Sequence, residues 1–341
     1  MSLGESLSQK WYERRLSPAL FVLAPLWAIF VGLSALRRVC FRLGLLRCQR
    51  LAVPVVVVGN ITVGGAGKTP VVLHLVRALM AAGRRPGIIS RGYGRSSDGV
   101  LAVEPGTAAA DCGDEPLLLA QRAVCPVFVG RDRVAAGEAL LAAHPEVDVI
   151  VSDDGLQHYR LARDAEVALF DGRGIGNGWR LPLGPLRESL ARLRGVSAVV
   201  FNGERRVPVP PGVPAFDMVL AGTAFYRLGQ PEVLCSVAEL KARWAGRTLH
   251  AVAGIGHPER FFATLAGLGL ACTAHPFPNH HAYAQGDLDF GADAVVLMTE
   301  KDAVKCRHLN LGETWVLPVT AELPPALVEI ILEKMSGRPA S

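Results

Sequence analysis

Val53-Pro54-Val55-Val56-Val57-Val58-Gly59-Asn60-Ile61-Thr62-Val63-Gly64-Gly65-Ala66-Gly67-Lys68-Thr69-Pro70 is the stretch whose reading decides the fold. The four valines from Val55 to Val58 are β-branched and suit a strand buried on both faces. A glycine-rich turn follows, and Val71 to Leu79 has the leucine, alanine and valine spacing of a helix. Strand, glycine-rich loop, Gly-Lys-Thr and helix together make a phosphate-binding loop. Gly64, Gly65, Ala66 and Gly67 let successive backbone N–H groups converge on a phosphate, and the helix N-terminus adds a favourable dipole. Lys68 is placed to reach the outer phosphates of a nucleoside triphosphate, and Thr69 to hold Mg²⁺. The strict pattern wants a glycine where Thr62 stands, and the run from Gly64 to Thr69 looks instead like the double-glycine variant. An ordinary strand-to-helix turn that happens to contain Gly-Lys-Thr is the alternative.

A chain of 341 residues supports a large core and suggests two domains. Half of it is apolar (50%), and a mean hydropathy of +0.29 is high for a soluble protein. The net charge of +5 fits an anionic substrate, a membrane surface or nucleic acid, without choosing among them. The 7 cysteines form no C-x-x-C pair, so neither a zinc site nor a disulfide framework is suggested. Their odd number fits a reducing cytoplasm.

Working outward, Leu16 to Leu36 carries no charge, with Arg14 and Arg15 before it and Arg37, Arg38, Arg42, Arg47 and Arg50 after it. About 20 apolar residues can span a bilayer. A signal peptide is disfavoured because an arginine-rich run follows where a small-residue cleavage site should lie. Positive charge on both flanks gives no orientation bias for a spanning helix, and Pro18 and Pro25 interrupt the stretch. A helix lying in one leaflet with its arginines on anionic headgroups is the expectation, with a buried core helix as the bland alternative.

On the other side of the loop, strands and helices alternate to residue 201. That pattern predicts a doubly wound, mostly parallel sheet of the P-loop NTPase kind, with ligands at the C-terminal strand ends. Arg91-Gly92-Tyr93-Gly94-Arg95 reads as a loop that could meet phosphate or simply be solvated. Asp114-Glu115-Pro116 reads equally as a helix start or as a carboxylate facing the nucleotide. The apolar run ending in Ser152-Asp153-Asp154-Gly155 is more telling, because an acid at such a strand end orients Mg²⁺ in nucleotide sites. The prolines from Val207 to Pro214 break the pattern. The expected limits are 1–50 for a membrane-associating region, 51–206 for a nucleotide-binding core, 207–228 for a linker and 229–341 for a smaller α/β domain. In that last part, Gly254-Ile255-Gly256 is weak evidence for a second nucleotide, and His280-His281 lacks a third metal ligand at suitable spacing.

The assembled motifs resemble the tetraacyldisaccharide 4′-kinase family, the lipid A 4′-kinases of Gram-negative bacteria. The resemblance rests on the loop from Gly59 to Pro70, Ser90-Arg91-Gly92-Tyr93-Gly94, Gly113-Asp114-Glu115-Pro116 and Asp153-Asp154-Gly155-Leu156-Gln157-His158. It continues through Gly184-Pro185-Leu186-Arg187-Glu188, Gly254-Ile255-Gly256 and Thr299-Glu300-Lys301-Asp302-Ala303-Val304-Lys305. It implies an ATP- and Mg²⁺-dependent kinase at the cytoplasmic face of the inner membrane. Such an enzyme phosphorylates the 4′-hydroxyl of an acylated glucosamine disaccharide 1-phosphate. Asp114 and His280 match the family's pair that activates the sugar hydroxyl. Asp153 and Asp154, with Thr69, match its metal-site residues. Arg133, Arg187 and Glu188 match positions near the nucleotide, with Glu188 grouped among the metal ligands. One departure is Asn279, where the family often has Asp; Asn accepts a hydrogen bond but brings no charge. The expected partners are the acylated lipid and the membrane surface, with no nucleic acid, and a monomer is expected. The rival is a membrane-associated regulatory P-loop ATPase, a class that usually carries lysine where Val63 stands.

Overall fold

The computed structural model describes residue 7, residues 9–13 and residues 16–337. Arg14 and Arg15, read above as flanking charges, lie outside the described residues. The first strand, β1 (Val55–Gly59), is buried throughout. Val56 and Val58 enter one hydrophobic core and Val55 and Val57 another, so β1 is covered on both faces. The helix Lys68–Ala81 follows and buries Val72, Leu75, Val76 and Leu79 against the first of these cores.

The strands β2 (Pro86–Ser90), β3 (Leu101–Ala102), β4 (Val127–Val129), β5 (Val149–Asp153), β6 (Ala165–Asp171), β7 (Ala198–Asn202) and β8 (Ala215–Ala221) build a sheet around β1. Its order is β15-β8-β7-β6-β1-β5-β2-β4-β3, where β15 is Thr320–Glu322. All neighbours from β8 to β4 are parallel, and each edge adds an antiparallel strand. This is the doubly wound sheet expected from the alternation of elements. The insertion of β5 beside β1 matters most, because Val58 stands in register with Asp153. The acids therefore arrive next to the phosphate loop, at the C-terminal end of the sheet.

A second sheet has the order β10-β9-β14-β13-β11-β12. Its strands are β9 (Ala224–Arg227), β10 (Gln230–Ser236), β11 (Leu249–Ala253), β12 (Thr273–Pro276), β13 (Val295–Thr299) and β14 (Glu313–Leu317). The interval 207–228, read from its prolines as a linker, holds β8 of the large sheet and then β9 of the small one. The chain then returns: β15 and the helix Ala326–Ser336 rejoin the first unit, with Leu327, Ile331 and Met335 in its core. Periodicity identifies an apolar helix face but not which sheet it covers, and that is why 320–336 reads as part of the second unit in sequence.

The N-terminal segment forms a short 3₁₀ turn, Pro18–Leu23, and a helix, Ala24–Arg42, that buries none of its residues. Leu26, Ile29, Leu33 and Leu36 are all exposed. A core helix does not look like this; Pro18–Arg42 is apolar and long enough to cross a membrane by length and composition. Trp11, Leu20 and Leu183 form a small cluster where this segment meets the body.

Candidate active site

Lys68 is the first residue of its helix, and Gly67 caps that helix in the left-handed region at φ +91°. The loop is braced from within. Asn60 Nδ2 donates to the Gly64 carbonyl at 2.9 Å, and Lys68 Nζ donates to Asn60 Oδ1 at 3.3 Å. Lys68 Nζ also stands 3.5 Å from Asp154 Oδ1.

The acids at the end of β5 differ in state. Ser90 Oγ donates to Asp153 Oδ2 at 3.0 Å, while Oδ1 is buried without a partner. Burial, reinforced by the Glu115 carboxylate, raises the Asp153 carboxyl to about 6. Asp154 takes a left-handed backbone at φ 48°, and Arg187 Nη1 donates to both of its oxygens at 3.2 Å. Burial alone would raise the Asp154 carboxyl, but Lys68 and Arg187 outweigh it and hold it low. Arg133 is buried, and its Nη2 donates to the Asp154 carbonyl at 3.2 Å. Burial lowers its guanidinium to about 10. Glu188 accepts from Gln157 Nε2 at 3.0 Å and from the Tyr159 hydroxyl, and Arg38 lies 3.8 Å away. Thr69 is buried at the second position of the loop's helix.

Across this cavity the two units meet. Asp114 begins the helix Asp114–Arg122 in the first unit, and its Oδ2 lies 3.1 Å from His280 Nδ1 in the second. His280 is held at φ 61°, donates its backbone N–H to the Gly254 carbonyl at 3.2 Å, and has the Tyr93 ring 5.7 Å away. Left-handed backbone at a residue other than glycine is strained, and Asp154 and His280 both carry it beside the cavity. Beside Asp114, Glu115 is ion-paired with Lys301 of the second unit. Lys301 holds the Glu115 carboxyl down at about 2. His281, the neighbouring imidazole, turns instead to Asp287 at 3.0 Å.

The resulting cavity encloses about 600 Å³, within the usual range for small-ligand sites. Gly64, Gly65, Lys68, Asp153, Asp154, Arg187, Glu188 and His280 line it. Ala66, Gly67, Thr69, Arg133 and Asp114 are not on its wall. Sequence reasoning overlooked Glu115 and Lys301 as a pair. Both sat inside quoted motifs, but their partnership joins a helix start in one unit to a helix start in the other. Asn60 and Gln157 were also passed over; each links a backbone carbonyl of the loop to a charged group of the site. His158 approaches Asp132 at 3.8 Å rather than either acid of β5.

The donor set suits Mg²⁺. It comprises hard oxygens of a hydroxyl and carboxylates, and Asp153 Oδ1 is buried with no other partner. Among the described residues no group of three or more His, Cys, Asp and Glu could hold a metal ion by itself. Mg²⁺ does not require one, since it is held through one or two carboxylates together with substrate phosphates and water.

Comparison with known proteins gives a consistent result. A family model described as Tetraacyldisaccharide-1-P 4′-kinase matches residues 19–336. The chain is 55% identical to the tetraacyldisaccharide 4′-kinase of Dechloromonas aromatica, over 98% of this chain and 99% of that one. It is 52% identical to the protein of that name from Janthinobacterium sp. (strain Marseille), over 99% of this chain and 97% of that one. Among solved structures it is similar to the "apo" form of LpxK from Aquifex aeolicus in complex with ATP. That likeness has a TM-score of 0.79 and 28% identity, and it covers 93% of this chain and 99% of that one.

Proposed function

The chain belongs to the tetraacyldisaccharide-1-phosphate 4′-kinase family, and from that premise we propose how its residues divide the work. It is a kinase that phosphorylates the 4′ position of a tetraacylated disaccharide 1-phosphate in lipid A biosynthesis. The relatives named above carry the kinase name, and none of them favours the regulatory ATPase alternative. The nucleotide is ATP. Its β- and γ-phosphates lie on the N–H groups of Gly64, Gly65, Ala66 and Gly67, with Lys68 and Arg187 neutralising charge and Arg133 supporting Asp154. Thr69, Asp153, Asp154 and Glu188 would hold Mg²⁺, which would supply neutralisation of the charge on the phosphates.

Phosphoryl transfer asks for positioning and charge stabilisation more than covalent chemistry. Asp114 accepts the proton of the 4′-hydroxyl, or hydrogen-bonds that hydroxyl into line, and His280 orients Asp114. The observation that carries this reading is the 3.1 Å approach of His280 to Asp114. It joins the two units over one phosphate-loop cavity. The second unit brings His280 over the site by hinge motion at its two connections to the first, 222–223 between β8 and β9 and 318–319 ahead of β15; the prolines at 207–214 join β7 to β8 within the first sheet. The exposed apolar helix Ala24–Arg42 seats the enzyme as a monomer on the cytoplasmic face of the inner membrane, where the substrate's acyl chains remain in lipid.

The test is direct. Purified protein in detergent micelles receives γ-labelled ATP, Mg²⁺ and the monophosphorylated tetraacyl disaccharide. Label should appear on the lipid at the 4′ position and nowhere without Mg²⁺. Complete absence of labelled lipid would contradict the assignment.

A further inference from the structure

Asn202 closes β7 and lies buried behind the phosphate loop. Its Nδ2 donates to the Ala66 carbonyl at 3.2 Å. Its Oδ1 accepts from Arg260 Nη2 at 2.5 Å. Arg260 belongs to the helix Pro258–Gly267 of the second unit, so this relay runs from one unit into the nucleotide loop of the other. Neither Arg260 nor Asn202 lines the cavity.

The chemistry of the relay is directional. An Asn amide has one accepting end and one donating end, whereas a guanidinium only donates. Arg260 therefore fixes which end of Asn202 faces it. The donating end is left for the Ala66 carbonyl. Without Arg260 the Ala66 bond alone holds the amide and Oδ1 loses its buried partner, so a turn that leaves the Ala66 carbonyl unpaired becomes far less costly. The donating end is closely packed against the loop, since a Cβ on Gly67 would lie 2.7 Å from Asn202 Nδ2. The same turn of the second unit that leads into Arg260 holds His280, through the Gly254 carbonyl. It also approaches the loop directly, with a Cβ on Gly256 only 3.8 Å from Gly65 N. Gly254-Ile255-Gly256, weak as a nucleotide motif, is thus the piece that carries His280 and Arg260 together.

We propose that Arg260 is a positioning residue that couples seating of the second unit to the nucleotide-ready form of the phosphate loop. Its action passes through the Asn202 amide and reaches no substrate atom. Because coupling is reciprocal, ATP on the loop favours the seated second unit to the same degree.

This rests on the kinase reading, and the experiment separates the two. Binding of a fluorescent ATP analogue with Mg²⁺ is measured for the full chain, for Arg260→Ala, Arg260→Lys, Asn202→Ala, Asn202→Asp and for Arg260→Ala/Asn202→Ala. Kinase assays follow on each. Arg260→Ala should weaken binding by about 10-fold, within the usual span of coupling between sites. KM for ATP should rise with it, while KM for the lipid and kcat at saturating ATP change far less. Arg260→Lys keeps one donor and should recover most of the loss. Asn202→Asp keeps a partner for Arg260 but no donor for Ala66, so it should bind ATP as poorly as Asn202→Ala. The double variant should be no worse than Asn202→Ala alone. Wild-type affinity in Arg260→Ala, or effects that multiply in the double variant, would overturn the proposal and leave the kinase assignment standing. Failure of the unsubstituted protein to bind the analogue would overturn the phosphate-loop reading itself.

Discussion

Gly67 combines a left-handed backbone, φ +91°, with a neighbour that cannot yield, since Asn202 Nδ2 would lie 2.7 Å from an added Cβ. At Gly64, also left-handed at φ +109°, the corresponding obstacle is Arg173 Nη2, which is itself held by Asp171 at 2.6 Å. Gly67→Ala is therefore expected to cost about 1–3 kcal/mol of stability from backbone strain and crowding, and to weaken ATP binding. Thermal melts and nucleotide titration would check both, and an unchanged melt would show that the loop can take up the strain. Glycine at these positions was legible in the sequence because phosphate loops need convergent N–H groups. Its second reason at Gly67 was not, because Asn202 comes from a strand far along the chain. The same limit applies to Asp114. Its motif reads equally as a helix start or a catalytic acid until His280 is seen beside it.

At the scale of elements, two short helices meet beside the cavity, one from each unit. The helix Asp114–Arg122 offers Glu115 and Arg122, and the helix Glu300–Cys306 offers Lys301 and Glu300, giving two ion pairs of opposite sense. Both partners of the first pair keep part of their surface open to the cavity, 28% for Glu115 and 32% for Lys301. That exposure discounts the loss expected for a fully buried pair. Lys301→Met should destabilise by about 1–3 kcal/mol in urea unfolding, and adding Glu115→Gln should recover a good part of it. No recovery would mean that the helices dock by packing alone. Further from the site, Glu313 begins β14 and takes bonds from Trp244 Nε1 at 3.3 Å and Trp315 Nε1 at 3.1 Å. Burial pushes its carboxyl up, but these bonds and Arg247 outweigh it and hold it down at about 2. A carboxyl depressed in the folded state stabilises above its unfolded value, near 4.3, and that contribution is lost as pH falls from there toward 2. Glu313→Gln should therefore lower Tm at pH 7 by about 2–4 °C, as a change of roughly 1 kcal/mol does in a domain of this size, and the difference should shrink below pH 4. An equal Tm gap at pH 3 and pH 7 would exclude the charge as the cause. The partners of these charged side chains were not legible in the sequence, because pairing depends on register and topology rather than local composition.

The whole molecule is two sheets joined twice, once between β8 and β9 and again where the chain returns to β15. The alternation of strand and helix made the first sheet legible. The return of 320–336 was hidden, since a short amphipathic helix carries no address. The N-terminal helix was legible as apolar, and the structure adds that its apolar side chains face outward. Ile29→Glu with Leu33→Glu should release the protein from anionic vesicles in flotation while leaving its melt unchanged, because both residues are exposed. Retention on the vesicles would place the membrane contact elsewhere. The central claim is that the two units complete one active site, with Asp114 from the first and His280 from the second acting as a unit. Its most direct test is kcat for Asp114→Ala, His280→Ala and the double variant on the tetraacyl disaccharide 1-phosphate at saturating Mg·ATP. Each single change should lower kcat by on the order of 10²–10⁴, and the double variant should be no slower than the slower single one. Losses that multiply in the double variant, or a wild-type rate in either single one, would contradict it.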